Sequence, residues 1–162
     1  FLPGLLKMMP GKSYAEFIGA TNIFDLHWSD VIEQILADNP DVPLTIWCDE
    51  DTPLVWPEVL RAVAGLPEDC PLAGEQDLLS SLMSGEGMTR LQGYLESHPP
   101  GSIVQRRKIV SAFLDKFALP ERIDIEVELP GWTEQTVAQL TKAYEEDVYR
   151  IAHMADVTFI AP

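Results

Sequence analysis

Only two segments of this chain read as buried strands, and they stand roughly a hundred residues apart. Val42 to Cys48 (VPLTIWC) is near-continuously apolar and rich in β-formers, and Val157 to Ile160 (VTFI) is a shorter run of the same kind. Continuous apolar character marks a strand covered on both faces, as in a parallel sheet. The order of helix, buried strand and helix around Val42–Cys48 predicts an α/β layered, helix-rich fold with a largely parallel sheet. A sheet of that type normally has about 4–6 strands, so the missing partners are expected before Phe1. The first residue is Phe, not Met, and the chain is read as a fragment or an incompletely captured protein.

The helical intervals follow from periodicity and capping. Trp28, Val31, Ile32, Ile35 and Leu36 recur at helical spacing and stop at Asn39-Pro40. Pro57 at a first-turn position opens a helix through Val59, Leu60 and Val63 that Gly65 closes. A helical segment over about 75–118 carries three stripes: Leu78, Leu79, Leu82 and Met83; Met88, Leu91 and Leu95; and Val110, Phe113, Leu114 and Phe117. The third begins at Ser102, with Gln105 completing a capping box. Ile123, Ile125, Val127 and Leu129 alternate with acids, which predicts an exposed extended segment. A long helix starts near Thr133, with Val137, Leu140, Tyr144, Val148 and Ile151 on its apolar face.

Gly11-Lys12-Ser13 imitates the end of a phosphate-binding loop, but that motif needs glycine where Leu6 stands. Ser13 and Glu16 instead form a capping box for a helix start.

At 162 residues the chain suits a single domain, 1–162, burying roughly 70% of the surface its unfolded form exposes. Hydrophobic residues at 46% and charged residues at 23% are globular rather than disordered proportions. Acids outnumber bases 26 to 11, for a net charge of -15. Such a surface repels phosphate backbones and anionic lipids, so neither nucleic acid nor a membrane surface is expected as a partner. Cys48 lies in an apolar run and reads as a buried thiol, and no His/Cys spacing suits zinc, so no metal is expected. No apolar run approaches the ~20 residues a membrane span needs, and a soluble, cytoplasmic protein is expected.

The segment Val42–Gly65 (VPLTIWCDEDTPLVWPEVLRAVAG) resembles a sulfotransferase element in which a strand ends in an aromatic-x-Glu-Asp sequence before a helix and an apolar-Gly close. Trp47, Glu50 and Asp51 take those places approximately. Ala143–Tyr149 followed by Val157–Ile160 is similar to the family's final helix and strand. FLP at the start, Trp28-Ser29, FLDKFAL (Phe113–Leu119) and LPGWT (Leu129–Thr133) are similar to a bacterial sulfotransferase-like branch. The resemblance implies a P-loop NTPase-like fold, of which this chain is the C-terminal portion. It also implies transfer of sulfuryl from phosphoadenosine phosphosulfate to a hydroxyl or amine, with a small-molecule or glycan acceptor and no metal. The phosphosulfate-binding loop is absent from the chain, and Gly4 stands where relatives often carry a serine that touches the nucleotide 3′-phosphate. By itself, the fragment is expected to be inactive.

Asp49, Glu50 and Asp51 follow a buried strand, the end of an open α/β sheet where ligands bind. Asp49 and Glu50 are therefore the candidate catalytic carboxylates, acting as a general base toward an acceptor hydroxyl; the alternative is a helix cap or a structural ion pair. Arg106 and Arg107 interrupt the apolar stripe of their helix and suit phosphate or sulfate recognition. They are the candidate cofactor-binding residues; the alternative is pairing with carboxylates such as Asp124 or Glu126. His27, His98 and His153 stand isolated and read as structural, and Trp47 and Trp132 as packing anchors. A non-catalytic binding or scaffold protein that retains the fold is the competing functional reading.

Overall fold

The computed structural model describes residues 13–123 and 129–162. These divide into two compact units, 13–44 with 129–158 and 45–123 with 159–162.

The first unit opens with α1 (Tyr14–Ile18). Ser13 Oγ accepts the Glu16 N–H at 3.2 Å, and Glu16 Oε2 accepts the Ser13 N–H at 2.8 Å, so the capping box forms reciprocally. A 3-10 turn at Ile23–Asp25 leads to α2 (Trp28–Asp38), which ends at Asn39. The last helix, α8 (Glu134–Ala152), is capped by Thr133 Oγ1 accepting the Thr136 N–H at 3.1 Å. α2 packs against α8, but the buried residues of this pair are Ser29, Ile32, Asp147 and Ile151. Trp28, Val31, Ile35, Val137 and Tyr144, all expected on apolar faces, remain more than a third exposed. Trp132 Nε1–H donates to Tyr14 Oη at 2.6 Å, tying α1 to the turn before α8.

In the second unit, α3 (Thr52–Ala64) begins five residues before the Pro57 that was expected to open it. Pro53 fills the first-turn role, and Pro57 sits inside the helix with its ring buried. Pro57 has no N–H for the Pro53 carbonyl, so the irregularity is confined to one ladder bond. Gly65 closes the helix in the left-handed region (φ 63°), where Leu66 N–H reaches Arg61 O at 2.9 Å. α4 (Asp77–Leu82), α5 (Gly85–Ser97) and α6 (Ile103–Phe117) bury Leu79, Met83, Met88, Leu91 and Val110 in one apolar core. Leu95, Phe113, Leu114 and Phe117 pack against it, as the stripes require. Ser102 Oγ caps α6 by accepting the Gln105 N–H, while Gln105 Oε1 accepts from Gly101 N–H rather than from Ser102 itself.

α7 (Pro120–Ile123) follows. Ile123 was expected to start an extended segment; it ends this helix instead, where Pro120 favours a helical first turn. The rest of that alternation, residues 124–128, lies outside the described residues.

β1 (Leu44–Trp47) and β2 (Val157–Ile160) pair in parallel, which makes the chain α/β and helix-rich. β1 is shorter than the Val42–Cys48 run because Pro43 cannot donate to a ladder. The last residues of both strands belong to the second unit, so the carboxyl end of the pair lies there.

Candidate functional site

Parallel pairing puts the residues that follow β1 and those that follow β2 at one end of the sheet. After β1 the chain passes through Cys48 into a 3-10 turn, Asp49–Asp51, that runs directly into α3. Three acids in this place are favourable, because the first turn of a helix presents unpaired N–H groups and the positive end of its dipole. The turn closes through Asp51 N–H to Cys48 O at 3.1 Å, and Thr52 Oγ1 donates to Asp49 Oδ1 at 3.5 Å.

Asp49 and Glu50 are exposed, whereas Asp51 is half-buried. Burial, and secondarily the negative charge of Glu50, push the Asp51 carboxyl above its ordinary pKa. The acidic triplet was legible as a strand-end cluster, and the residue whose proton affinity is raised is its third member.

After β2, the carbonyl of Ala161 accepts a hydrogen bond from Arg107 Nη1 at 2.6 Å. The guanidinium also pairs through Nη2 with Glu58 Oε1 on α3 at 3.2 Å, and the two side chains are only 13% and 20% exposed. Arg107 is thereby fixed at the carboxyl end of the strand pair. Arg106, one position along α6, turns away to Glu75 Oε1 at 2.9 Å. The helix separates adjacent side chains by about 100°, so the two arginines serve different partners and do not converge on one ligand position. Pairing with Asp124 or Glu126 falls outside the described residues; Glu58 and Glu75 fill that role.

The Arg107–Glu58 pair is incompletely satisfied. Glu58 Oε2, Arg107 Nε and, on the same helix as Glu58, Trp56 Nε1 are buried without a hydrogen-bond partner among the described residues. Buried polar atoms left in this state normally hold water or a ligand's polar atoms. Two of the three are donors, Arg107 Nε–H and Trp56 Nε1–H, and Glu58 Oε2 is an acceptor. Neither Trp56 nor Glu58 carried a sequence signal: Glu58 looks like any helix-surface glutamate, and its partner comes from a distant helix.

The histidines occupy helix ends. His27 precedes α2 with Nδ1 3.9 Å from Asp30 Oδ2, His98 stacks on Tyr94 at a ring distance of 4.6 Å, and His153 Nδ1–H donates to Tyr149 O at 2.7 Å. Among the described residues no group of His, Cys, Asp and Glu is arranged to hold a metal ion, and no helix is long and apolar enough to cross a membrane. No protein-family model, curated protein or solved structure matches this chain.

Proposed function

We propose that this chain belongs to a sulfotransferase-like protein of P-loop NTPase-like architecture, whose working surface is the carboxyl end of the strand pair. The observation that carries the reading is Asp51, a half-buried carboxyl of raised proton affinity at the end of the turn that joins a parallel strand to α3. That is where open α/β sheets receive ligands and where a general base is most effective when its affinity is raised toward working pH. In the proposed reaction Asp51, flanked by Asp49 and Glu50, accepts the proton of an acceptor hydroxyl or amine. The acceptor atom bonds to sulfur while the bond from sulfur to the phosphate oxygen breaks, and adenosine 3′,5′-bisphosphate leaves. Arg107, with its unclaimed Nε–H, is the anion-facing cation; Arg106 supports the same helix through Glu75. Phosphoadenosine phosphosulfate is the proposed donor, a small molecule or glycan the acceptor, and the cytoplasm the setting.

The test is thermal melting of the full-length protein, with its phosphosulfate-binding loop restored, in adenosine 3′,5′-bisphosphate. Ligand at 100 times its Kd adds about 2.7 kcal/mol of stability, so the melting temperature should rise by several degrees, and the rise should vanish in Arg107→Gln. An unchanged melting temperature in excess nucleotide contradicts the reading.

A second reading, a non-catalytic binding protein, is favoured by one observation. Each arginine already has a glutamate, Arg106 with Glu75 and Arg107 with Glu58, so neither offers an uncompensated positive charge to a phosphosulfate. It predicts no nucleotide-dependent shift in either wild type or Glu58→Gln.

A further inference from the structure

The charged residues that line the space between α5 and α6 are both cations, in a chain of net charge -15. A shallow, open groove of about 440 Å³ lies there, lined mostly by exposed residues. Its apolar lining is Tyr94, Phe113 and Phe117, and its polar lining includes Arg90, Lys116 and Ser97. The rings form a continuous series. Tyr94 and Phe113 centroids lie 5.8 Å apart with their planes tilted by 53°, and Phe113 and Phe117 lie 5.8 Å apart in a stacked arrangement. Phe117 is flanked by both cations, with Arg90 Cζ 5.6 Å and Lys116 Nζ 5.4 Å from its centroid.

Small residues keep the space open. A side chain at Gly93 would meet nothing within 4 Å, so its Cβ position belongs to the groove rather than to the packed core. Phe117 is held from behind, because a Cβ at Gly87 would fall 2.4 Å from its own Cβ. The cations are available. Arg90 has one partner, Glu86 at 2.7 Å, in an exposed pair of the kind that contributes little and exchanges readily. Lys116 forms no ion pair among the described residues, in a chain of net charge -15 where acidic neighbours are abundant.

We propose that this groove binds a planar aromatic anion, an aromatic ring bearing a carboxylate, phosphate or sulfate. The ring packs in the angle between the tilted Tyr94 and Phe113 planes, and the anionic group is held by Arg90 and Lys116, with the Ser97 hydroxyl as a neutral donor. Neither component suffices: an apolar ring makes no use of the two solvent-facing cations, and a bare anion leaves the aromatic wall in water. The inference is independent of the carboxyl-end reading, because it uses no residue of that site.

The probe is 2-naphthyl phosphate, followed by amide NMR on the uniformly labelled chain, with 2-naphthol and inorganic phosphate as controls. Saturable shifts should appear at Gly93, Ser97 and Ala112. 2-Naphthol should bind at least about tenfold more weakly, and inorganic phosphate should leave those amides unmoved. Lys116→Gln should weaken the aromatic anion about tenfold, the scale of one charge-assisted hydrogen bond. Gly93→Leu should abolish binding by filling the space, with the melting temperature showing that the fold persists. Equal binding of 2-naphthol and its phosphate, no effect of Lys116→Gln, or no saturable shift in these residues would each overturn the proposal.

Discussion

Asp147 accepts the backbone N–H of Trp28 at 2.6 Å and that of Ser29 at 3.2 Å, and the Ser29 hydroxyl bonds it as well. It is therefore the N-terminal cap of α2, supplied from α8 rather than from the adjacent His27, which makes no side-chain cap bond. Both Asp147 and Ser29 are buried, at 6% and 0% exposure. A buried carboxylate is tolerable here because it meets orphan helix donors and the positive end of a dipole. Truncation to Asp147→Ala strands those donors, and should cost about 3 kcal/mol, read as a lowered denaturant midpoint with an unchanged slope. Asp51 behaves oppositely. Its folded-state carboxyl holds a proton more tightly than in the unfolded chain, so stability contributed by the protonated form is lost as pH rises from the ordinary aspartate value through the raised one. Asp51→Asn should therefore melt above wild type at pH 7, and the difference should close at about pH 3, where both states are protonated. A gap that persists at acid pH would assign the effect to capping instead.

Elements were the most legible level. Ser13 with Glu16, Ser102 with Gln105, and Thr133 announced three helix starts because a cap is a local bargain between a side chain and the next turn's N–H groups. Gly65 announced an end for the same reason. The start of α3 was misplaced because Pro53 and Pro57 are both compatible with a first turn, and only the surroundings decide which one occupies it. The contents of the site were less legible. The acidic turn follows from its place after a strand, but Glu58, Trp56 and the Ala161 carbonyl acquire roles only through helix packing and strand pairing. The α5–α6 contact gives an element-scale prediction. Gly87 exists where Phe117 comes too close for any side chain, so Gly87→Ala should lower stability by about 2 kcal/mol despite alanine's better helix propensity. A neutral or stabilising result by thermal melting would show that α5 and α6 can separate at little cost.

For the whole molecule, the decisive relation is between two strands distant in sequence. β1 and β2 both place threonine at their exposed second position, Thr45 and Thr158, with half-buried apolar neighbours. The similarity reflects a shared environment, which is why both runs read as strands. Their adjacency did not follow from either run, since pairing is set by the chain between them. Everything assigned to the carboxyl end depends on it: the acidic turn follows one strand, and the carbonyl that anchors Arg107 follows the other. Cross-strand NOEs between backbone protons of Thr45–Trp47 and Phe159–Ile160 measure that relation directly. The account predicts contacts whose partners advance together along both strands, toward Trp47 and Ile160. Contacts that advance in opposite directions, or none between the two segments, would contradict it.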